Sequence, residues 1–397
     1  MQINSEYSTI PSMSFATFVG LINVSLVQFT SFMTKQTPLT HLHIAMGARM
    51  APFAGFEMPI EYTGIKDEHF TVREKVGIFD VSHMGALWVN GKNALPFLQK
   101  VTSNDVSVLV PGKAQYSCFP NGKGGIVDDI IVYKFTDEKY LIVVNASNVD
   151  KDFAWVQQHK IDGVEIENKS PETAQIAIQG PLATPLMKKI CSLPLENLKP
   201  FMVTDGIVAG CENIVIATTG YTGAGGYEIL IPKRHAETIW KALLEAGQEF
   251  GVKPIGLGAR DTLRLEMGYN LYGNDISDET SPIEAGLAWV TKPANKPDLI
   301  DRERIVNQLE NGVSKKLVGF EMIDRGIPRH DYEICDASGS IIGKVTSGSI
   351  SPMTNAGIGM GYVNKPFFEL GSEIFISIRG KLLKAVVVKP PFYKAKK

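Results

Sequence analysis

GGIVDDIIVY, residues 124–133, sets two adjacent carboxylates inside an apolar, β-branched run that otherwise reads as a buried strand. A strand rich in Ile and Val excludes charge, and burying a lone carboxylate costs several kcal/mol unless hydrogen bonds, a counter-charge or a proton answer it. Successive strand residues face opposite sides, so Asp129, Ile131 and Tyr133 share one face while Asp128, Ile130 and Val132 share the other. The two acids therefore have different jobs. One is expected to tether the Gly-rich turn at 121–125, and the other, on the Tyr133 face, to point into a ligand pocket. A plainer alternative has both acids accepting backbone hydrogen bonds where the strand begins.

Outward from this run, from Thr37 onward, short strands alternate with helices in the manner of an α+β protein. Residues 53–63 read as strand and loop, 65–76 as a helix, and 77–89 as a strand opened by a helix-ending Gly77. A short helix follows at 94–101. Residues 116–119 and 125–135 form a hairpin around PNGKGG, whose Asn-Gly is a turn signal. Residues 140–144 make a further buried strand, 149–159 a helix, 174–179 a strand and 183–190 a helix. Strands at 214–219 and 227–231 flank the loop GYTGAGG. The segment 236–250 is an amphipathic helix with Ile239, Leu243 and Ala246 on one side, and 258–267 a helix whose Arg260 and Arg264 share a face. After a polar helical bridge at 300–310 the pattern changes to VGFEMI, DYEICD, GKVTSG, GIGMGYV, EIFISI and KAVVV. These are short strands at close spacing, and they predict an all-β module beginning near 308–316.

Composition narrows the chemistry. The 397 residues suffice for two or three domains with proper cores. Forty Lys and Arg against 42 Asp and Glu give a formal charge of −2, which offers no electrostatic case for nucleic-acid binding. Cys118, Cys191, Cys211 and Cys335 are scattered, and the His41-x-His43 pair has no further ligand nearby, so neither a metal site nor a disulfide framework is expected. GLGARD at Gly256 lacks the third Gly of a dinucleotide fingerprint, and GYTGAGG at Gly220 lacks the Lys of a P-loop, so no nucleotide or flavin chemistry is expected. The apolar segment 15–32 has no Lys or Arg before Lys35, unlike a signal or transit peptide. Residues 1–35 are accordingly expected to be a poorly ordered extension ahead of a natural initiator at Met33, on a cytoplasmic protein with no membrane span.

An ordered series of motifs runs through the remainder: AGFEMP (54–59), FDVSHMG (79–85), GGIVDDIIVY (124–133), NASN (145–148), QGP (179–181), GYTG (220–223) and YEI (227–229). GLGARDTLRLE (256–266), SPIEAGL (281–287), TSGSISP (346–352) and KPPFY (389–393) complete it. Together they resemble the aminomethyltransferase (T-protein) family of the glycine cleavage system. The resemblance implies a three-domain cloverleaf around a central folate cavity, with two mixed α/β domains and a C-terminal barrel-like β domain. The first domain would comprise 36–86 with 175–263, the second 87–174 with 264–307, and the third 308–397. It also implies transfer of an aminomethyl group from the lipoylated H-protein to tetrahydrofolate as co-substrate. The products would be 5,10-methylenetetrahydrofolate, ammonia and dihydrolipoyl protein, formed by a monomer without metal or flavin.

The resemblance also distributes roles among residues. Asp129, the second acid of the pair, corresponds to the essential carboxylate. Glu228 resembles the carboxylate that receives the pterin amino and NH donors, and Arg260 the arginine near the folate's carboxylated tail, with Arg264 a structural ion-pair partner. Tyr116, Tyr133 and Tyr221 would wall the cavity, although as core residues they would need no explanation. Met84 and Trp88 would line the same pocket, with Asn145 and Tyr393 as further contacts. At Ala224 the chain departs from the family's GYTGEDG pattern, a change that bears on affinity. A related group in iron–sulfur maintenance carries a KGCYxGQE-type signature that is missing here. The folate-binding halves of sarcosine and dimethylglycine dehydrogenases add a flavoprotein segment for which there is no room. A folate-binding regulator without turnover is the nonenzymatic alternative.

Overall fold

The computed structural model describes residues 34–394. The expected extension at 1–35 lies outside the described residues except at its end, where Lys35 forms a β-bridge with Phe56 and is therefore part of the fold. Residues from Lys35 onward form one unit in which α-helices alternate with two main open sheets and a two-stranded ribbon, with a closed barrel at the C-terminal end.

The strand Ile126–Thr136 is second in a five-stranded antiparallel sheet ordered Lys113–Pro120, Ile126–Thr136, Lys139–Val144, Gly85–Asn90, Glu165–Asn168. One face, carrying Ile130 and Val132, packs with Phe119, Ile142 and Val156 into one core. The opposite face, carrying Ile131 and Tyr133, packs against Val203, Val215, Ala217 and Leu230 of a neighbouring six-stranded sheet. Burial on both faces explains why the run is apolar throughout rather than alternating. That second sheet is ordered Val203–Val208, Cys211–Ala217, Gly226–Pro232, Thr173–Gln179, Gly77–Asp80, Lys253–Pro254, with only the last pair parallel. Its outer face is closed by the helix Ala236–Ala246, whose Ile239, Trp240 and Leu243 are fully buried. Each such side chain contributes roughly 1.5–3 kcal/mol through apolar burial.

Six C-terminal segments close into a barrel ordered Lys315–Met322, Gly357–Asn364, Ile341–Ile350, Glu333–Cys335, Glu373–Ile378, Lys381–Val388. These are the six strands expected from the tail, and closure removes the free edges that short strands would otherwise expose.

Two local expectations need correction. The segment 77–89 is two strands, Gly77–Asp80 and Gly85–Asn90, which enter different sheets. The chain turns between them at Ser82, whose backbone N–H donates to Asp80 Oδ1 at 2.9 Å. The PNGKGG turn is held by Asn121, not by either aspartate. Asn121 Oδ1 accepts from the backbone of Lys123 at 2.8 Å and of Gly125 at 2.9 Å, while its Nδ2 donates to Asp278 O at 2.9 Å. Gly125 is required at this point because any Cβ there would collide with the Asp278 carbonyl. Among the described residues, no helix is long and apolar enough to cross a membrane, and no acidic, His and Cys cluster has the makings of a metal site.

Candidate functional site

Asp129 pairs in register with Cys118 of the adjacent strand and is half-buried. Its carboxylate is gripped from two sides. Tyr116 Oη donates to Oδ2 at 2.9 Å, and Asn145 Nδ2 donates to Oδ1 at 2.8 Å. Strand alternation brings Tyr116 to this face, and Asn145 arrives at the end of the neighbouring strand Lys139–Val144. Burial pushes the Asp129 carboxyl up to about 7, and the adjacent Asp128 charge adds to this. The Tyr116 and Asn145 hydrogen bonds offset only part of the rise. A carboxylate poised near neutrality can hold or release a proton at little cost.

Asp128 faces the other side, fully buried, and accepts from the backbone of Asn145 at 2.8 Å, from Asn145 Nδ2 at 2.9 Å and from Asn148 Nδ2 at 2.6 Å. The two acids thus do have separate surroundings, but one amide, Asn145 Nδ2, touches both.

A second group forms around Glu228 on the strand Gly226–Pro232. Thr219 Oγ1 donates to Glu228 Oε2 at 2.5 Å, and Tyr133 Oη lies 3.0 Å from Thr219 Oγ1. No donor among the described residues engages the other Glu228 oxygen, so it is open to a ligand N–H. The third group centres on Arg260. Its guanidinium stacks over the Tyr221 ring at 4.6 Å, reaches Met84 Sδ at 3.9 Å, and has no carboxylate partner among the described residues. Tyr221 is fixed in turn by donating to the Asn270 carbonyl. Burial raises the Tyr221 phenol and lowers the Arg260 guanidinium; the Arg264, Asp129 and Arg260 charges make smaller contributions to the first, and Tyr221 and Glu228 to the second. A half-buried cation stacked on an aromatic ring suits a carboxylated ligand, and an open glutamate oxygen suits an amino-substituted heterocycle.

Three of the expected residues stand apart. Trp88 pairs with Leu141, which pairs with Tyr133, and so lies about 13 Å of strand away from Asp129. It packs instead on Phe135 at 5.1 Å beneath the Lys139 ammonium. Tyr133 shares the Asp129 face as alternation requires, but its ring is core, 1% exposed, and it meets the site only through Thr219. Its apolar partners from the second sheet close over the ring. Tyr393 docks under the Arg73 guanidinium at 5.1 Å, and no hydrogen bond or ring contact among the described residues joins it to Asp129. Arg264 is 2% exposed and pairs with Asp275 at 2.7 Å. The GYTGAGG loop is pinned by Thr222 Oγ1 donating to Gln179 Oε1 at 2.8 Å, and Ala224 sits half-buried within it.

Reading the sequence missed three contributors. Trp289 is 63% exposed yet stacks on Tyr116 at 6.0 Å. The only hint was its place just after SPIEAGL. Thr219, the link between Tyr133 and Glu228, had no signal at all. His83 is buried with an unpartnered Nδ1, edge-on to Phe53 at 5.6 Å, and it is held neutral because burial and then Arg260 push its pKa down to about 4.

Family models match nearly the whole described chain. The GCVT N-terminal domain covers residues 39–295, and the glycine cleavage T-protein C-terminal barrel domain covers 315–394. An aminomethyltransferase of Bacteroides thetaiotaomicron is 58% identical over 360 residues, which is 91% of this chain and all of the relative. That of Porphyromonas gingivalis is 54% identical over 361 residues, again 91% of this chain and all of the relative. The crystal structure of the glycine cleavage system aminomethyltransferase T from Bartonella henselae superposes with a TM-score of 0.85 at 33% identity. It covers 91% of this chain and 98% of that one.

Proposed function

The chain belongs to the aminomethyltransferase (T-protein) family of the glycine cleavage system, and from that membership we propose that Asp129 is its working carboxylate in aminomethyl transfer from the lipoylated H-protein to tetrahydrofolate. The observation that carries this reading is the Asp129 environment: half-buried, hydrogen-bonded by Tyr116 and Asn145, and poised near neutrality. In the overall reaction the methylene carbon loses its bonds to the lipoyl sulfur and to the amino nitrogen and gains bonds to two folate nitrogens. The two protons leaving those nitrogens end on ammonia and on the dihydrolipoyl sulfur. Ionised Asp129 orients the pterin and stabilises the positive charge that develops as the first folate nitrogen attacks.

Around this centre, the open Glu228 oxygen takes the pterin amino and NH donors, and Arg260, stacked on Tyr221, takes the carboxylated tail. Met84, Tyr116 and Asn145 complete the folate contacts, whereas Tyr133, Trp88 and Tyr393 support the scaffold. The three-lobe division, 36–86 with 175–263, 87–174 with 264–307, and 308–397, is supported by the way each main sheet draws its strands from one of these sets, apart from the first two residues of Gly85–Asn90 and of Thr173–Gln179, which cross a boundary. The protein is further read as a cytoplasmic monomer.

The test is ammonia release from aminomethylated H-protein by the purified chain, with tetrahydrofolate and with folate omitted. Release should depend on folate. Asp129→Asn should bind folate with little change while transfer falls about 10²-fold or more. Unchanged turnover in that variant removes Asp129 from the mechanism, and release at the same rate without folate removes the transfer.

A further inference from the structure

Behind the Asp129 centre lies a carboxyl group that the reaction scheme leaves without a role. Asp152 occupies the first turn of the helix Val149–Gln158, on the buried side with Val156, and is fully excluded from solvent. Neither of its carboxyl oxygens meets a hydrogen-bond donor among the described residues. Its polar neighbour is the carboxyl of Asp128, within hydrogen-bonding reach. Asp128 spends its own oxygens on Asn145 and Asn148, and Asn145 Nδ2 extends from Asp128 Oδ1 at 2.9 Å to Asp129 Oδ1 at 2.8 Å. A continuous path therefore runs from Asp152 through Asp128 and Asn145 to Asp129.

Among the described residues no cation pairs with these two carboxyls, and the Lys151 charge offsets only part of what burial and Asp128 impose on Asp152. Lys151, the nearest base on the helix, turns outward to Asp278 at 3.2 Å and to Tyr272 Oη at 2.7 Å. The helix N-terminus favours a carboxylate at Asp152 only weakly, far less than the cost of a second buried negative charge beside Asp128. Two buried carboxyls in contact cannot both ionise, but one proton between them turns repulsion into a hydrogen bond. The other titratable groups bearing on the pair are Asp129 of the same strand, Cys118 of the adjacent strand and Tyr272. Asp129 itself faces Tyr116, Cys118 and Tyr221.

We propose that Asp152 is a positioning residue: a protonated carboxyl that donates to Asp128, keeps Asp128 as the ionised anchor of Asn145 and Asn148, and through Asn145 holds Asp129 in its working geometry. The inference rests on Asp129 as the working carboxylate. Burial, reinforced by the Asp128 charge, holds the Asp152 carboxyl far above the usual range, in keeping with a retained proton.

Infrared spectroscopy of the resting protein, above neutral pH and without substrate, tests the shared proton directly. A protonated-carboxyl C=O band should be present in the wild type and absent in Asp152→Asn, whose amide still donates to Asp128. The pH profile of kcat/KM then tests the positioning. In Asp152→Leu the donor is gone and Asp128 takes the proton itself. Its charge no longer raises Asp129, and the acidic limb moves down by about one pH unit. In Asp152→Asn the limb stays in place and kcat remains within about threefold of wild type. Survival of the band in Asp152→Asn overturns the proposal, as does coincidence of the Asp152→Leu and Asp152→Asn limbs. If Asp152→Leu does not fold, the band in Asp152→Asn decides. Full activity in Asp129→Asn overturns the functional reading alone, because the band is recorded without turnover.

Discussion

Two buried carboxylate clusters in this chain meet opposite fates. Glu266, fully buried in the helix Leu257–Met267, accepts from His69 Nε2 at 3.0 Å and from Arg73 Nη2 at 2.8 Å. It also accepts from Ser351 Oγ at 2.6 Å and from the backbone of Met353 at 3.1 Å. Burial opposes its ionisation, but the His69 hydrogen bond and charge and the Arg73 guanidinium overrule it, and its pKa falls. Asp129 has comparable neutral donors and no cation partner among the described residues, so burial and Asp128 prevail and its pKa rises. What separates a structural carboxylate from a reactive one is therefore the counter-charge, not the burial. The Glu266 cluster ties two helices to the C-terminal barrel, while the Asp129 cluster keeps a proton within reach.

Removing the counter-charge logic from the first cluster should have the largest effect. Glu266→Ala leaves Arg73, with a side chain only 3% exposed, without its carboxylate, and is expected to cost about 3–5 kcal/mol in urea unfolding. A loss below about 1 kcal/mol would mean that Arg73 finds water instead, and the contrast would fail.

The next test uses the opposite pH signs of the two clusters. The depressed Glu266 pKa gives stability that is whole above the ordinary carboxylate value and is lost as pH falls through its folded value. The raised Asp129 pKa gives stability that is whole below the ordinary value and is lost as pH climbs through about 7. Asp129→Asn should therefore be more stable than wild type above neutrality, by on the order of 1 kcal/mol, with the gap closing towards acidic pH. A variant less stable at every pH would show that the Asp129 hydrogen bonds outweigh its charge.

The smallest change expected is in Tyr116→Phe. Loss of the Tyr116 donor lets the Asp129 pKa rise further, so the acidic limb of kcat/KM should move up by about half to one pH unit with stability little altered. An unmoved limb would show that Asn145 alone holds the carboxylate.

Much of this architecture was legible in the chain itself. Period-2 alternation separated Asp128 from Asp129, and the six close-spaced runs after Lys315 became the six barrel strands. Helical spacing placed Arg260 and Arg264 together, but it could not say that Arg264 would meet Asp275 while Arg260 would find Tyr221 and Met84 and no carboxylate among the described residues. Trp88 and Tyr133 show where alternation runs out. A residue's face follows from strand geometry, but its distance along the sheet and what lies opposite depend on register and on the neighbouring sheet.

Sequence by itself determined the strand, the two faces and the family to which the motifs belong, because those follow from local backbone geometry and from the order of residues. Only the tertiary structure decided which acids keep a proton. That outcome depends on Asn145 reaching across one strand, on a helix bringing Asp152 behind Asp128, and on no cation among the described residues pairing with them. Proton affinity is set by distance and burial in three dimensions, and neither is written in the spacing of residues along the chain.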